Sequence, residues 1–178
     1  AGLAGIAPHM VAASITALSR LLFEFHSSAQ LTKSTLEGLV DTVCLFVRSN
    51  NREIVRAVLG FVKVMVVVLD VAMLEPKIEL LVPGLMVWSH ENKGRLRAKV
   101  KGILERCVRR FGGNTVENWV GEQDRKMVVN IRKKRERSKK KNKEAGIEED
   151  ESHDEKPTKS YDNEFDEAVY GSDEDGSE

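Results

Sequence analysis

Apolar residues recur along this chain in steps of four, three and four. Val11, Ile15, Leu18 and Leu22 form one set, Val55, Leu59, Val62 and Val66 a second, and Leu96, Val100, Ile103 and Cys107 a third. Each set marks one face of an α-helix. The sets lie 44 and 41 residues apart, a period at which helical hairpins stack to bury a continuous core. Two stretches supply the other helix of a hairpin, "TLEGLVDTVCLFVRS" at 35–49 and "PKIELLVPGLMVWSH" at 76–90. A shift of 41 sets Leu39 on Leu80, Val40 on Leu81, Cys44 on Leu85 and Val47 on Trp88. The polar runs "SNNRE" and "HENKG" have turn composition and close the hairpins.

The first set is preceded only by "AGLAGIAPH", too short for a helical mate, so the sequence reads as the C-terminal fragment of a longer chain. Pro83 lies inside a helical pattern and is expected to bend it. At the other end, "RRFGG" at 109–113 combines a basic last turn with glycines just beyond it, the composition of a helix stop. A short helix carrying Val116, Trp119 and Val120 follows, and Glu122 and Asp124 open a last helix. Met127, Val128 and Ile131 give that helix a docking face. No apolar side chain then appears until Ala145, so the helix is expected to leave the body. The pattern predicts helices near 9–25, 36–49, 52–69, 77–89, 95–111 and 122–141, with no sheet. The fold class is all-α: a helical-hairpin solenoid fragment over residues 1–120, a basic C-terminal helix over 121–143 and a disordered acidic tail over 144–178.

Charge sharpens that division. The formal net charge is zero over 178 residues. Residues 1–124 carry 15 Lys/Arg against 12 Asp/Glu, residues 125–143 carry 11 against one, and residues 144–178 carry 2 against 15. The last segment is too charged and too poor in apolar residues to offset the entropy of ordering. Asymmetry of this kind points to tails that meet charged partners. Tyr161, Phe165, Val169 and Tyr170 are spaced as a short docking motif for a partner, beside the plainer reading of a solvating tail. Cys44 and Cys107 each fall in an apolar helical pattern and read as buried free thiols, in keeping with a reducing compartment. The greasiest run, Ala57 to Leu69, is interrupted by Lys63 and falls short of the roughly 20 residues a bilayer needs.

No pattern of catalytic chemistry emerges. His9, His26, His90 and His153 have no Cys or carboxylate at metal-ligand spacing, and no metal or cofactor is implied. Ser89-His90-Glu91 holds triad residue types, but neighbours along one chain point apart and cannot align as nucleophile, base and orienter. Phosphate-binding glycine loops are missing from the sequence. An enzyme acting on a small-molecule substrate is therefore not expected. The candidate site is the basic cluster Arg132, Lys133, Lys134, Arg135, Arg137, Lys139, Lys140, Lys141 and Lys143. Beside the plain reading of a solvated charge run, two functional readings stay open and are compatible: contacts to nucleic-acid phosphates, and a nuclear-import signal. No aromatic residue occurs between 125 and 143, so base stacking is not available and any contact positions without reading sequence.

The hairpin layout resembles a HEAT repeat array. The likeness rests on Pro83 in a first helix and on Asn50 before Val55-Arg56 and Glu91 before Leu96-Arg97. The resemblance implies that Arg56 and Arg97 tie neighbouring repeats by hydrogen bonds, with exposed phosphate contacts as the alternative. Longer words are more specific: "AGLAGIAPHM", "NREIVRAVLGFVKV", "MVWSHENK", "AKVKGILERCVRRFG" and "EQDRKMVVNIRKKRER". Over residues 1–143 these resemble the C-terminal part of the ribosomal RNA processing protein 12 family, large HEAT-type ribosome-biogenesis factors. "FDEAVYGSDED" is similar to the tails of fungal members. Gly121 departs from the family, which has proline there. The resemblance implies a non-enzymatic nuclear and nucleolar scaffold that joins pre-ribosomal particles. Its implied partners are pre-ribosomal RNA, assembly factors and nuclear transport machinery, with shuttling to the cytoplasm and without a membrane. A karyopherin-like transport adaptor, gripping proteins on a concave face and using the basic segment only for import, is the competing function.

Overall fold

The computed structural model describes residues 2–4, 7–28, 31–90, 94–144 and 163–170. Eight α-helices run through them: α1 Pro8–Phe25, α2 Lys33–Cys44, α3 Arg52–Val68, α4 Val71–Ser89, α5 Gly94–Phe111, α6 Gly113–Trp119, α7 Arg125–Glu144 and α8 Glu164–Tyr170. Short 3-10 turns occupy Gly2–Ala4 and Leu45–Arg48. Among the described residues there is no strand. The chain is an all-α helical solenoid fragment.

Local chemistry sets the helix ends. Pro8 starts α1, where its missing N–H costs nothing. Thr32 caps α2 by accepting from Thr35 N. Asn51 caps α3 through Oδ1, which accepts from Glu53 N at 2.9 Å and Ile54 N at 3.2 Å. Helix α5 stops at Phe111 because Gly112 takes a left-handed backbone, φ 85°, that other residues seldom adopt. Gly113 is required for another reason: a Cβ there would lie 2.6 Å from Cδ of Arg132.

Helices α1, α3, α5 and α7 form one row, each packed on the next, while α2, α4 and α6 lie behind them as a second row. The three apolar sets are turned into the core. All their members are buried except Leu18, which is half-buried. The 41-residue shift appears as a physical contact, for Trp88 Nε1 donates to the carbonyl of Val47 at 2.8 Å. Gly84 permits this approach, since a Cβ there would stand 3.0 Å from Val47 Cγ1. Leu80 departs from the repeat. Its counterpart Leu39 packs partly against the core, whereas Leu80 is 76% exposed.

Three expectations change on contact with the structure. Arg56 and Arg97 are exposed, and among the described residues neither bonds to a neighbouring hairpin. Arg110 does so instead, donating to the carbonyls of Val66 and Val67 at the C-terminal end of α3, where a cation complements the helix dipole. Arg110 lies one turn beyond the apolar set, on the side of α5 turned toward α3. The second change is at α4, which begins at Val71 and contains both Pro76 and Pro83. The third concerns the tail. Within the segment expected to be disordered, α8 is helical and packs on α3. Phe165, Ala168 and Val169 supply an i, i+3, i+4 apolar face, and all three are buried. The remainder of that segment, 145–162 and 171–178, lies outside the described residues.

Candidate nucleic-acid interface

The basic helix α7 is fastened at its start and projects beyond. Val128 and Ile131 are buried, Met127 is partly so, and they pack against α5 and α6. Asp124, just before the helix, is 5% exposed and pairs with His90 Nε2 at 2.8 Å, joining α7 to the end of α4. The helix therefore begins at Arg125, after a turn at 122–124, and not at Glu122. Its 20 residues correspond to about 30 Å of helix.

The predicted site residues divide by environment. Arg132 belongs to the anchored part. Its guanidinium pairs with Glu117 at 2.9 Å and donates to Asn114 Oδ1 at 2.6 Å, while its aliphatic stem lies over Gly113. Lys133, Lys134, Arg137, Lys139 and Lys140 are exposed and Arg135 is half-buried. The side chains of Lys141 and Lys143 lie outside the described residues, although the helix backbone extends through both. Asn130, Lys133, Lys134, Arg137 and Ser138 line one shallow depression. Their spacing of three, one, three and one puts them on a single helical face. The arrangement offers a row of cations and hydrogen-bond donors to an anionic chain.

A second basic constellation escaped the sequence reading. Lys63, fully buried in α3, donates to the carbonyl of Val169 at 2.9 Å. Arg106, 7% exposed in α5, donates to the carbonyl of Ala168. These cations hold the end of α8 and are not offered to solvent. The signal available in the sequence was a lysine in the middle of "VLGFVKVMVVV", where a solvated side chain has no place.

The thiols are free, Cys107 buried and Cys44 half-buried. Burial pushes each up to about 12, with Asp41 adding to the effect at Cys44. Both are protonated and unreactive near neutrality. Among the described residues no group of His, Cys, Asp and Glu could hold a metal ion. No helix among them is long and apolar enough to cross a membrane.

Comparison with known proteins agrees with the words read from the sequence. Ribosomal RNA-processing protein 12 of Saccharomyces cerevisiae is 44% identical over 98% of this chain and 14% of its own length. The chain belongs to that protein's family along this segment. The putative ribosomal RNA-processing protein 12 of Schizosaccharomyces pombe is 37% identical over 78% of the chain and 12% of its own length. The human RRP12-like protein is 38% identical over 78% of the chain and 10% of its own length. No family model matches. The chain thus spans about a seventh or less of these relatives. The Saccharomyces match covers so much of the chain that it includes α8.

Proposed function

We propose that this segment is a non-enzymatic scaffold piece of a ribosome-biogenesis factor. In this reading it joins pre-ribosomal particles and supports ribosomal RNA processing and small-subunit maturation and export. It works in the nucleus and nucleolus and shuttles to the cytoplasm. Residues 1–120 are HEAT-like repeats that carry the basic helix of 121–143, and the exposed cations of that helix hold pre-ribosomal RNA by its phosphates. The supporting observation is the face Lys133, Lys134 and Arg137, exposed along a helix whose first two turns dock on the body. The relatives' names, which speak of ribosomal RNA processing, agree with it. A helix rich in lysine with no aromatic residue grips a backbone without reading bases.

Counterion release makes the proposal quantitative. On single-stranded RNA each phosphate neutralised contributes about 0.7 to the slope of log affinity against log salt. Replacing Lys133, Lys134 and Arg137 together by alanine should therefore lower the slope by about 2. An unchanged slope would place RNA contacts elsewhere. Absence of RNA binding by the native chain, together with nuclear entry of a reporter carrying 121–143, would favour the transport-adaptor reading.

A further inference from the structure

Helix α8 has the attributes of a bound ligand more than those of a structural helix. It has seven residues, with acids at Glu164, Asp166 and Glu167. A helix so short does not persist alone in water. Asn163 pre-shapes its start: Oδ1 accepts from Asp166 N at 2.9 Å and Nδ2 donates to Asp166 Oδ2 at 3.0 Å. Everything else that holds it is supplied by the surface beneath.

That surface is a valley between α1 and α3, flanked by α5. Phe165 meets Phe23 edge-on at 5.7 Å between ring centroids. The Arg20 guanidinium lies 4.8 Å from the centre of the Phe165 ring and also donates to Asn163 Oδ1. Gly60 lets Val169 approach α3, since a Cβ there would stand 3.5 Å from its Cγ1. The last turn of any helix has carbonyls without intrahelical partners. For α8 two of these are met by Lys63 and Arg106, cations set where the helix dipole is negative. The valley thus reads an aromatic anchor, a small step, a β-branched residue and a helix terminus. It also runs on past α8, lined by Ala12, Ala13, Thr16, Glu53, Arg56 and Ala57.

We infer that the α1–α3 valley is a recognition site for the apolar face and C-terminal carbonyls of a short amphipathic helix, with residues 164–170 as its resident ligand. A helix of the same chemistry on a partner protein, with a phenylalanine and a valine four residues apart, replaces it. This inference is independent of RNA contacts by α7. The groups that meet it commit the site to this segment: Arg20 lies over the Phe165 ring and bonds to Asn163, and Lys63 and Arg106 hold the carbonyls of Val169 and Ala168, while Glu164 and Glu167 stay exposed.

The test uses the 178-residue chain and a fluorescent peptide of residues 161–178. A variant carrying Phe165→Asp and Val169→Asp releases the resident helix and leaves the valley intact. The peptide should bind this variant at least 10-fold more tightly than the native chain, where the tethered copy competes. A peptide with Phe165→Asp should fail to bind. Adding Gly60→Leu to the released chain should abolish binding, because the new side chain fills the step that takes Val169. No binding to the released chain, equal binding to both chains, or indifference to Gly60→Leu would overturn the inference. Hydrogen exchange on the native chain gives a second reading that needs no variant. Amides of 164–170 should exchange at least 10-fold faster than those of Val58–Val66, and equal protection would show that α8 is a fixed part of the core.

Discussion

Helices α7 and α8 are both heavily charged, and they meet opposite fates. The longer one, at 20 residues, buries Val128 and Ile131 against the body, with Met127 partly covered and Arg132 paired to Glu117. The shorter one has seven residues and buries three of them. Charge density does not decide docking. What decides it is whether apolar residues recur at helical spacing and whether the receiving surface answers the polar groups that become covered. In α7 the apolar pattern stops at Ile131, and beyond it no side chain of residues 132–140 is buried. In α8 the pattern spans the whole helix, and Lys63 and Arg106 meet its terminal carbonyls.

The comparison can be broken by substitution. Phe165→Ala should have the largest effect. Loss of a buried aromatic costs about 3 kcal/mol, and here the loss is capped by the docking energy of α8 itself. Exchange at 164–170 should accelerate while α3 to α5 stay protected. Global unfolding would instead make α8 part of the core. Ile131→Ala should cost about 2 kcal/mol in chemical denaturation, because it empties the end of the α7 docking face. Arg132→Ala should cost about 1 kcal/mol, for it leaves Glu117 without its cation in a partly exposed setting. It should also leave the salt slope of RNA binding nearly unchanged. The triple change at Lys133, Lys134 and Arg137 should do the reverse, with less than about 0.5 kcal/mol on stability and a lower salt slope. If Arg132→Ala lowered the slope as much as the triple change, the division of α7 into an anchor and an exposed face would fail.

The smallest effect concerns Cys107. Its folded value is raised from 9.0 to about 12, so its contribution to stability is full below pH 9 and is lost as pH climbs toward 12. At pH 8 a thiol reagent should label Cys107 no faster in the Phe165→Ala chain than in the native one. Faster labelling would mean that α8 guards the interior between α3 and α5, not just the valley surface.

Arg56 and Arg97 show where repeat patterning misleads. Their position beside an apolar step is the same in both hairpins, yet both are exposed. Arg110, which does bond to the neighbouring helix, follows no repeated word. Hydrogen bonds between stacked helices depend on which carbonyls are left open at a helix end, and that is settled by packing. The basic residues of α7 have a similar history. Their number and the end of the apolar pattern at Ile131 were legible. That Arg132 is held by Glu117 was not, because Glu117 belongs to a separate helix.

By itself the sequence determined the helices of the two rows, their 41-residue register, the glycine stop after Phe111 and the end of the apolar face of α7 at Ile131. All of these are short-range consequences of side-chain spacing and backbone preference. It also held the spacing of Phe165 and Val169, which marks a docking helix without naming its receiver. Only the tertiary structure decided that the receiver is this same chain. The reason is that α3 has four sides to cover. Helices α1 and α5 cover two and the second row a third. The fourth, with Lys63 in it, is buried only when a segment about a hundred residues away in sequence folds against it.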